Sequence, residues 1–266
     1  MEASKSGGIE GLNGFAIEVI RQSGEEALSY YGKGSAMIKF DEELVTEAEL
    51  YLVNFFQDKL HTHFPEHQVF ENSQGNNDYS HEEKRYLWIY DALDGVANFQ
   101  AGIPIWGTSL ALLENFWPIL GVFYMPATGD LFHAQVGHKA FWGKKQIRVS
   151  VQEEINDESL LLTYSRFHHH FDSTFPGKMR DFGSTTAHIC YVAAGRAEAA
   201  VISNETYRDL AAARVILEAA GGKMYKLDGS EFSLDDYMDG QRIDDHLLVA
   251  APDTYADVHG YFKDIG

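Results

Sequence analysis

The sequence predicts an α/β fold, with an antiparallel sheet in its first part and alternating strands and helices in its second. Three observations carry that reading. Two segments with apolar residues at helical spacing open the chain. Short apolar segments separated by polar, Gly or Pro turns then run from residue 108 to 150, the pattern of a meander. From residue 159 onward, strand-like and helix-like segments alternate. The change of pattern places a soft boundary near residue 150, giving parts 1–150 and 151–266.

The elements follow in order. Across residues 9–31, Ile9, Leu12, Phe15, Val19 and Ile20 share one helical face. A second helix starts at Thr46, which has capping-box spacing to Glu49; Leu50, Val53, Phe56 and Leu60 follow, and Pro65 stops it. Residues 67–70 read as a short strand and 72–84 as a polar loop, and the aromatic run at 86–90 reads as a buried strand. Trp88 and Trp106 read as core. The meander strands are 108–113, 119–125, 130–135, 140–142 and 147–150. After it come strand 159–164, a loop, helix 185–194, strand 198–202, helix 209–220, strands 223–227 and 246–251, and helix 255–262.

A chain of 266 residues with 45% hydrophobic content can bury the core of one large domain or two closely packed ones. Its net charge of −19 argues against binding to nucleic acid or an anionic membrane. It does not argue against a small anionic substrate, because a bound metal ion reverses the local field. The one cysteine, Cys190, excludes an internal disulfide framework and a four-cysteine zinc site. The first residues lack the apolar core of a signal peptide. The longest apolar stretch, 103–125, is broken by Glu114, Asn115 and Pro118, so a soluble cytoplasmic protein is expected.

The most informative segment is Asp91-Ala92-Leu93-Asp94-Gly95-Val96-Ala97-Asn98-Phe99, directly after the aromatic strand. It reads either as an Asp-rich turn or as a hard-cation site. In the second case Asp91 and Asp94 converge on one ion with the Leu93 carbonyl between them. The Gly95 and Val96 amides then open toward an anion. Asp209 reads as an ordinary acid at a helix start or as a further ligand, with Gly221 ending that helix. Glu71 follows a short strand. Strand ends and helix starts are where open α/β layers place ligands, and these acids share that setting.

These residues carry a family resemblance. The chain resembles the inositol monophosphatase family, within the fructose-bisphosphatase-like superfamily of lithium-sensitive, metal-dependent phosphatases. The family's DPxDGTxNF is matched by DALDGVANF at 91–99, and its WDxAAGxxIxxEAGG by RDLAAARVILEAAGG at 208–222. The run at 102–150, CYVAAGRAEAAV at 190–201 and LVTEAE at 44–49 also fit, so the resemblance spans about 9–263. It implies a layered α-β-α-β-α sandwich, with a largely antiparallel N-terminal sheet and a mixed C-terminal one. It implies a Mg²⁺-dependent phosphomonoesterase that holds two or three ions and takes a small phosphorylated metabolite as substrate. By resemblance, Glu71, Asp91, the Leu93 carbonyl, Asp94 and Asp209 match the metal-ligand positions. Glu49, Glu71 and Asp94 match catalytic positions, Gly95 and Val96 the phosphate site, and Gly183, Ser184 and Thr185 a loop that touches substrate hydroxyls. Ser184 and Thr185 also read as a helix cap. A homodimer is implied.

The departures gather around the chemistry. Val96 replaces a hydroxyl residue, Glu49 an aspartate that orients water, and Asn72 the second acid of a GEE segment. Ala92 replaces a proline and Arg208 a tryptophan. Ile202 stands where inositol-specific members carry a substrate-binding glutamate, which argues against inositol phosphate as the preferred substrate. The leading expectation is in-line attack of an activated water on a phosphate monoester. The alternative is a catalytically weakened member that binds metal, an anion or a partner. A zinc enzyme using His168, His169 and His170 is a third reading, although a solvated or substrate-contacting loop suits that triplet better. Arg166 and Arg180 read as surface arginines or as holders of a second anionic group.

Overall fold

The computed structural model describes residues 8–33, 47–70, 86–151, 154–230 and 232–265. Helix α1 (Ile9–Leu28) buries Leu12, Ala16, Val19 and Ile20, and α2 (Glu47–His63) buries Ala48, Leu52, Phe56 and Leu60. Both sets recur at helical spacing, so each helix presents one apolar stripe. Thr46, the expected cap, lies outside the described residues, and Glu49 sits in the first turn of α2.

The stripes pack on a seven-stranded sheet whose order follows the chain. Strand β1 (Gln68–Val69) lies parallel to β2 (Tyr86–Asp94). After the short helix α3 (Val96–Ala101), strands β3 (Gly107–Glu114), β4 (Trp117–Met125), β5 (Asp130–Gln135), β6 (Ala140–Trp142) and β7 (Lys145–Ile147) add antiparallel. The expected strand 147–150 is displaced: Trp142 pairs with Lys145 across a tight turn at Gly143, which brings the last strand forward.

The second part continues with β8 (Leu160–Thr163), α4 (Phe167–His170), β9 (Phe171–Ser173), β10 (Lys178–Arg180) and α5 (Thr185–Ala193). Then come β11 (Ala199–Ile202), β12 (Glu205–Thr206), α6 (Tyr207–Ala219), β13 (Lys223–Lys226), β14 (Arg242–Ile243), β15 (Leu247–Ala250), α7 (Pro252–His259) and β16 (Phe262–Asp264). Strands β10, β8 and β11 run parallel and β11, β15 and β13 antiparallel, so this five-stranded sheet is mixed as expected. The final helix starts at Pro252, whose fixed φ suits the first helical position. Phe262, expected at the end of that helix, instead opens β16, which pairs with β9, and Phe262 meets Phe167 and Phe171. The histidine triplet lies in the single turn α4 rather than in a loop, because Phe167 anchors that turn in the core.

Strand alternation sets the layers. On β2, Trp88 and Tyr90 face α1 and α2, while Leu87 and Ile89 face the other way, into a cluster with α5, α6 and the inner face of the second sheet. On that sheet Ala200, Ile202 and Val249 point into this cluster, whereas Ala199, Val201 and Leu248 point outward to α4 and α7. The layers are therefore helix, sheet, helix, sheet, helix. Gly121 lets β4 lie directly on α6, since a Cβ there would come 2.3 Å from the Ala212 carbonyl oxygen. Among the described residues no helix is long and apolar enough to cross a membrane.

Candidate active site

Helix α6 and the ends of β2 and β3 meet where the expected acids lie. Asp91 pairs with Ser109, yet Asp94 pairs with Gly107, so β2 carries one extra residue there. In a regular strand residues three apart face opposite sides; the bulge returns Asp91 and Asp94 to one side. The strand thus continues through Asp94, where the sequence suggested a turn. Gly95 follows with φ +82°, and a Cβ on it would stand 3.0 Å from the Ile105 oxygen and 3.1 Å from the Gly183 oxygen. Only glycine fits that approach. Asn98 secures it: its Nδ2 donates to the carbonyl oxygens of Ile105 and Phe182, both at 2.6 Å.

The loop carrying Gly183, Ser184 and Thr185 therefore abuts the Asp94–Gly95 turn. Asp94 Oδ2 accepts from Ser184 Oγ at 2.5 Å and from the Thr186 amide at 2.8 Å. Ser184 Oγ also accepts from the Ala187 amide, which caps α5. Thr185 Oγ1 donates to Glu205 Oε1 at 2.6 Å. Both hydroxyls of this loop thus donate to carboxylates, Asp94 and Glu205. At the start of α6, Asp209 Oδ2 accepts from the Thr206 amide and hydroxyl, each at 2.8 Å. That helix begins two residues before the expected start because Thr206 is its cap.

Glu49, Asp91, Leu93, Asp94, Val96 and Asp209 line one cavity of about 720 Å³, within the size range of small-molecule sites. Arg208 and Arg242 line it too. Burial, with Asp209 beside it, holds the Asp91 carboxyl well above the usual carboxylate range. Burial also raises Asp94, against the hydrogen bonds from Ser184 and Thr186. Glu205, which sequence reasoning missed, is pushed up to about 8 by burial and by Asp209. Its only sequence signal is an acid four residues before Asp209. Glu71 and Asn72 lie outside the described residues. Arg166 precedes α4 and Arg180 lies on β10, and neither lines this cavity.

The donor set suits a hard cation: it is all oxygen, and its carboxylates repel one another without a counter-charge. Asp94 and Asp209 each have one oxygen fixed by two hydrogen bonds, which leaves the other to face an ion. Among the described residues no three His, Cys, Asp or Glu side chains form a ready metal cluster. In the histidine triplet, His170 Nδ1 bonds the Tyr164 hydroxyl at 2.9 Å.

Residues 10–258 match the inositol monophosphatase family. A histidinol-phosphatase of Chlorobaculum parvum is 29% identical over 235 residues, covering 83% of this chain and 87% of its own. Inositol monophosphatase 1 of Solanum lycopersicum is 29% identical over 247 residues, covering 87% of this chain and 90% of its own. An IMPase of Thermotoga maritima shares the fold, with a TM-score of 0.76 over 93% of this chain and 95% of its own at 24% identity. The match runs from the first helix to the last and through every acid on the cavity: this chain belongs to the inositol monophosphatase family.

Proposed function

We propose that this chain is a Mg²⁺-dependent phosphatase of small phosphate monoesters. The observation that carries the reading is the convergence of Glu49, Asp91, Asp94 and Asp209 on one cavity beside the Leu93 and Val96 backbone. The names of its relatives, histidinol-phosphatase and inositol monophosphatase, support the reaction class and leave the substrate open.

Asp91, Asp94, Asp209 and the Leu93 carbonyl, joined by Glu71, would hold Mg²⁺, which supplies charge neutralisation at the phosphate and acidifies water. The chain's own groups do the rest. The Gly95 and Val96 amides hold the phosphate as the left-handed turn at Gly95 presents them. Glu49, in the first turn of α2, orients the attacking water and accepts its proton. Ser184 and the Thr186 amide fix Asp94, and Thr206 fixes Asp209, so the carboxylates need no rearrangement during reaction. Both parts of the chain contribute, Asp91 and Asp94 from before residue 150 and Asp209 from after it.

One observation favours a second reading. The Val96 side chain packs on the apolar cluster under α1 and α2 and offers no hydroxyl. A site that orients water poorly would bind Mg²⁺ and phosphate yet turn over slowly. Inorganic phosphate release from a panel of phosphomonoesters, with Mg²⁺ or with chelator, separates the two. The phosphatase reading expects release from at least one compound that stops with chelator and returns with Mg²⁺. No release alongside calorimetric Mg²⁺ binding would favour the weakened site, and a gain of rate in Val96→Thr would locate the cause.

A further inference from the structure

The active-site cavity is lined by the carboxylates of Glu49, Asp91, Asp94, Asp209 and Asp244, and by two guanidinium groups that the chemistry above does not use. Arg208 is the second residue of α6. Arg242 opens β14, and the β12–β14 register sets it opposite Thr206. The two arginines therefore lie on neighbouring elements, and both line the cavity. The Arg208 Nε is buried and has no hydrogen-bond partner. Asp209 Oδ1 stands 3.9 Å from it, too far for a hydrogen bond. Leaving such a donor unpaired is costly, and an acceptor brought by a ligand would satisfy it. Arg242 gives one Nη1 bond to the Asn204 carbonyl oxygen at 3.0 Å and is otherwise exposed. That bond fixes the side chain and leaves donors of the planar fork for a carboxylate or phosphate.

We propose that Arg208 and Arg242 form a second anion subsite, so that the substrate is a phosphate monoester carrying a further carboxylate or phosphate. The inference rests on the phosphatase reading, in which the reacting phosphate lies on the Gly95 and Val96 amides, on other elements. Asp244 lines the same cavity, two residues beyond Arg242. The subsite therefore rewards only an anionic group in direct contact with the guanidinium forks.

The test compares glucose 1-phosphate with glucuronic acid 1-phosphate, which differ only in a carboxylate at C6, and with glucose 1,6-bisphosphate. With Mg²⁺ present, kcat/KM is expected to be at least tenfold higher for one or both doubly anionic compounds, mainly through KM. In Arg242→Gln and in Arg208→Gln that ratio should fall at least tenfold, and Arg242→Lys should recover part of it. A ratio near one in the wild type would overturn the subsite while leaving the phosphatase reading intact. Equal losses on all three compounds in both variants would overturn it too, making the arginines counter-ions of the aspartates or holders of the reacting phosphate. No release from any compound or from a wider panel would overturn the phosphatase reading and the inference with it.

Discussion

Asp94 is held by a serine ninety positions further along the chain, and that distance explains what the sequence displays and what it hides. The acids themselves are legible once the segments at 91–99 and 208–222 are read together, since an Asp-rich turn by itself would explain the first of them. Their supports are not. Ser184, Asn98 and Glu205 acquire their roles only when the loop at 183–185 folds against Gly95, and no local pattern announces that contact. Ser184→Ala removes both a helix cap and a hydrogen bond to a buried carboxylate. It should cost about 1–2 kcal/mol in denaturant melts, and it should weaken Mg²⁺ binding measured by calorimetry. Glu49→Gln keeps the size of the side chain and removes its basicity. If Glu49 orients the attacking water, kcat should fall roughly 10²–10⁴-fold. A rate within threefold of wild type would remove Glu49 from the mechanism.

At the scale of elements, the long periodic helices and the meander strands lie close to where their apolar spacing placed them. The misplacements fall on short pieces set by tertiary contacts: the turn at the histidine triplet, helix α3 and strand β16. Strand β2 is the instructive case, because its bulge decides which face Asp94 takes, and alternation alone assigns the wrong one. Gly95→Ala should destabilise the α3 start by about 1–3 kcal/mol, since it forces a side chain into the left-handed region, and phosphate release should drop with it. Helix α5 carries a pH response. His188 Nε2 accepts the Phe182 amide at 2.9 Å, so the ring is neutral and its 3.7 Å approach to Asp181 is not an ion pair. Burial pushes its pKa down to about 4. The unfolded chain takes that proton near pH 6.5 and the fold refuses it. The stability contribution is therefore complete above pH 6.5 and falls by about 3 kcal/mol towards pH 4. Urea melts of His188→Gln and wild type across this range should converge as the pH is lowered. Parallel curves would mean that His188 protonates freely in the fold.

For the whole molecule, the five-layer order was implied by the family resemblance and is seen in the alternation of buried residues on both sheets. The β12–β14 ribbon that brings Arg242 to the cavity was not legible, because each of its strands is two residues long. A chain of net charge −19 that gathers carboxylates in its interior is under electrostatic strain until a cation arrives. Glu205 ionises near 4.5 when unfolded and at about 8 in the fold, so without metal its contribution to stability is present at low pH and lost between those values. In chelator the melting temperature should fall as the pH rises from 5 to 8, and the fall should be shallower in Glu205→Gln. Added Mg²⁺ should raise it most at pH 8. The most direct measurement of the central claim is Mg²⁺-dependent phosphate release by wild type and by Asp94→Asn side by side, with folding of both checked by thermal melts. The account predicts a folded Asp94→Asn protein whose rate is at least a hundredfold lower. A folded variant that releases phosphate at the wild-type rate would contradict it.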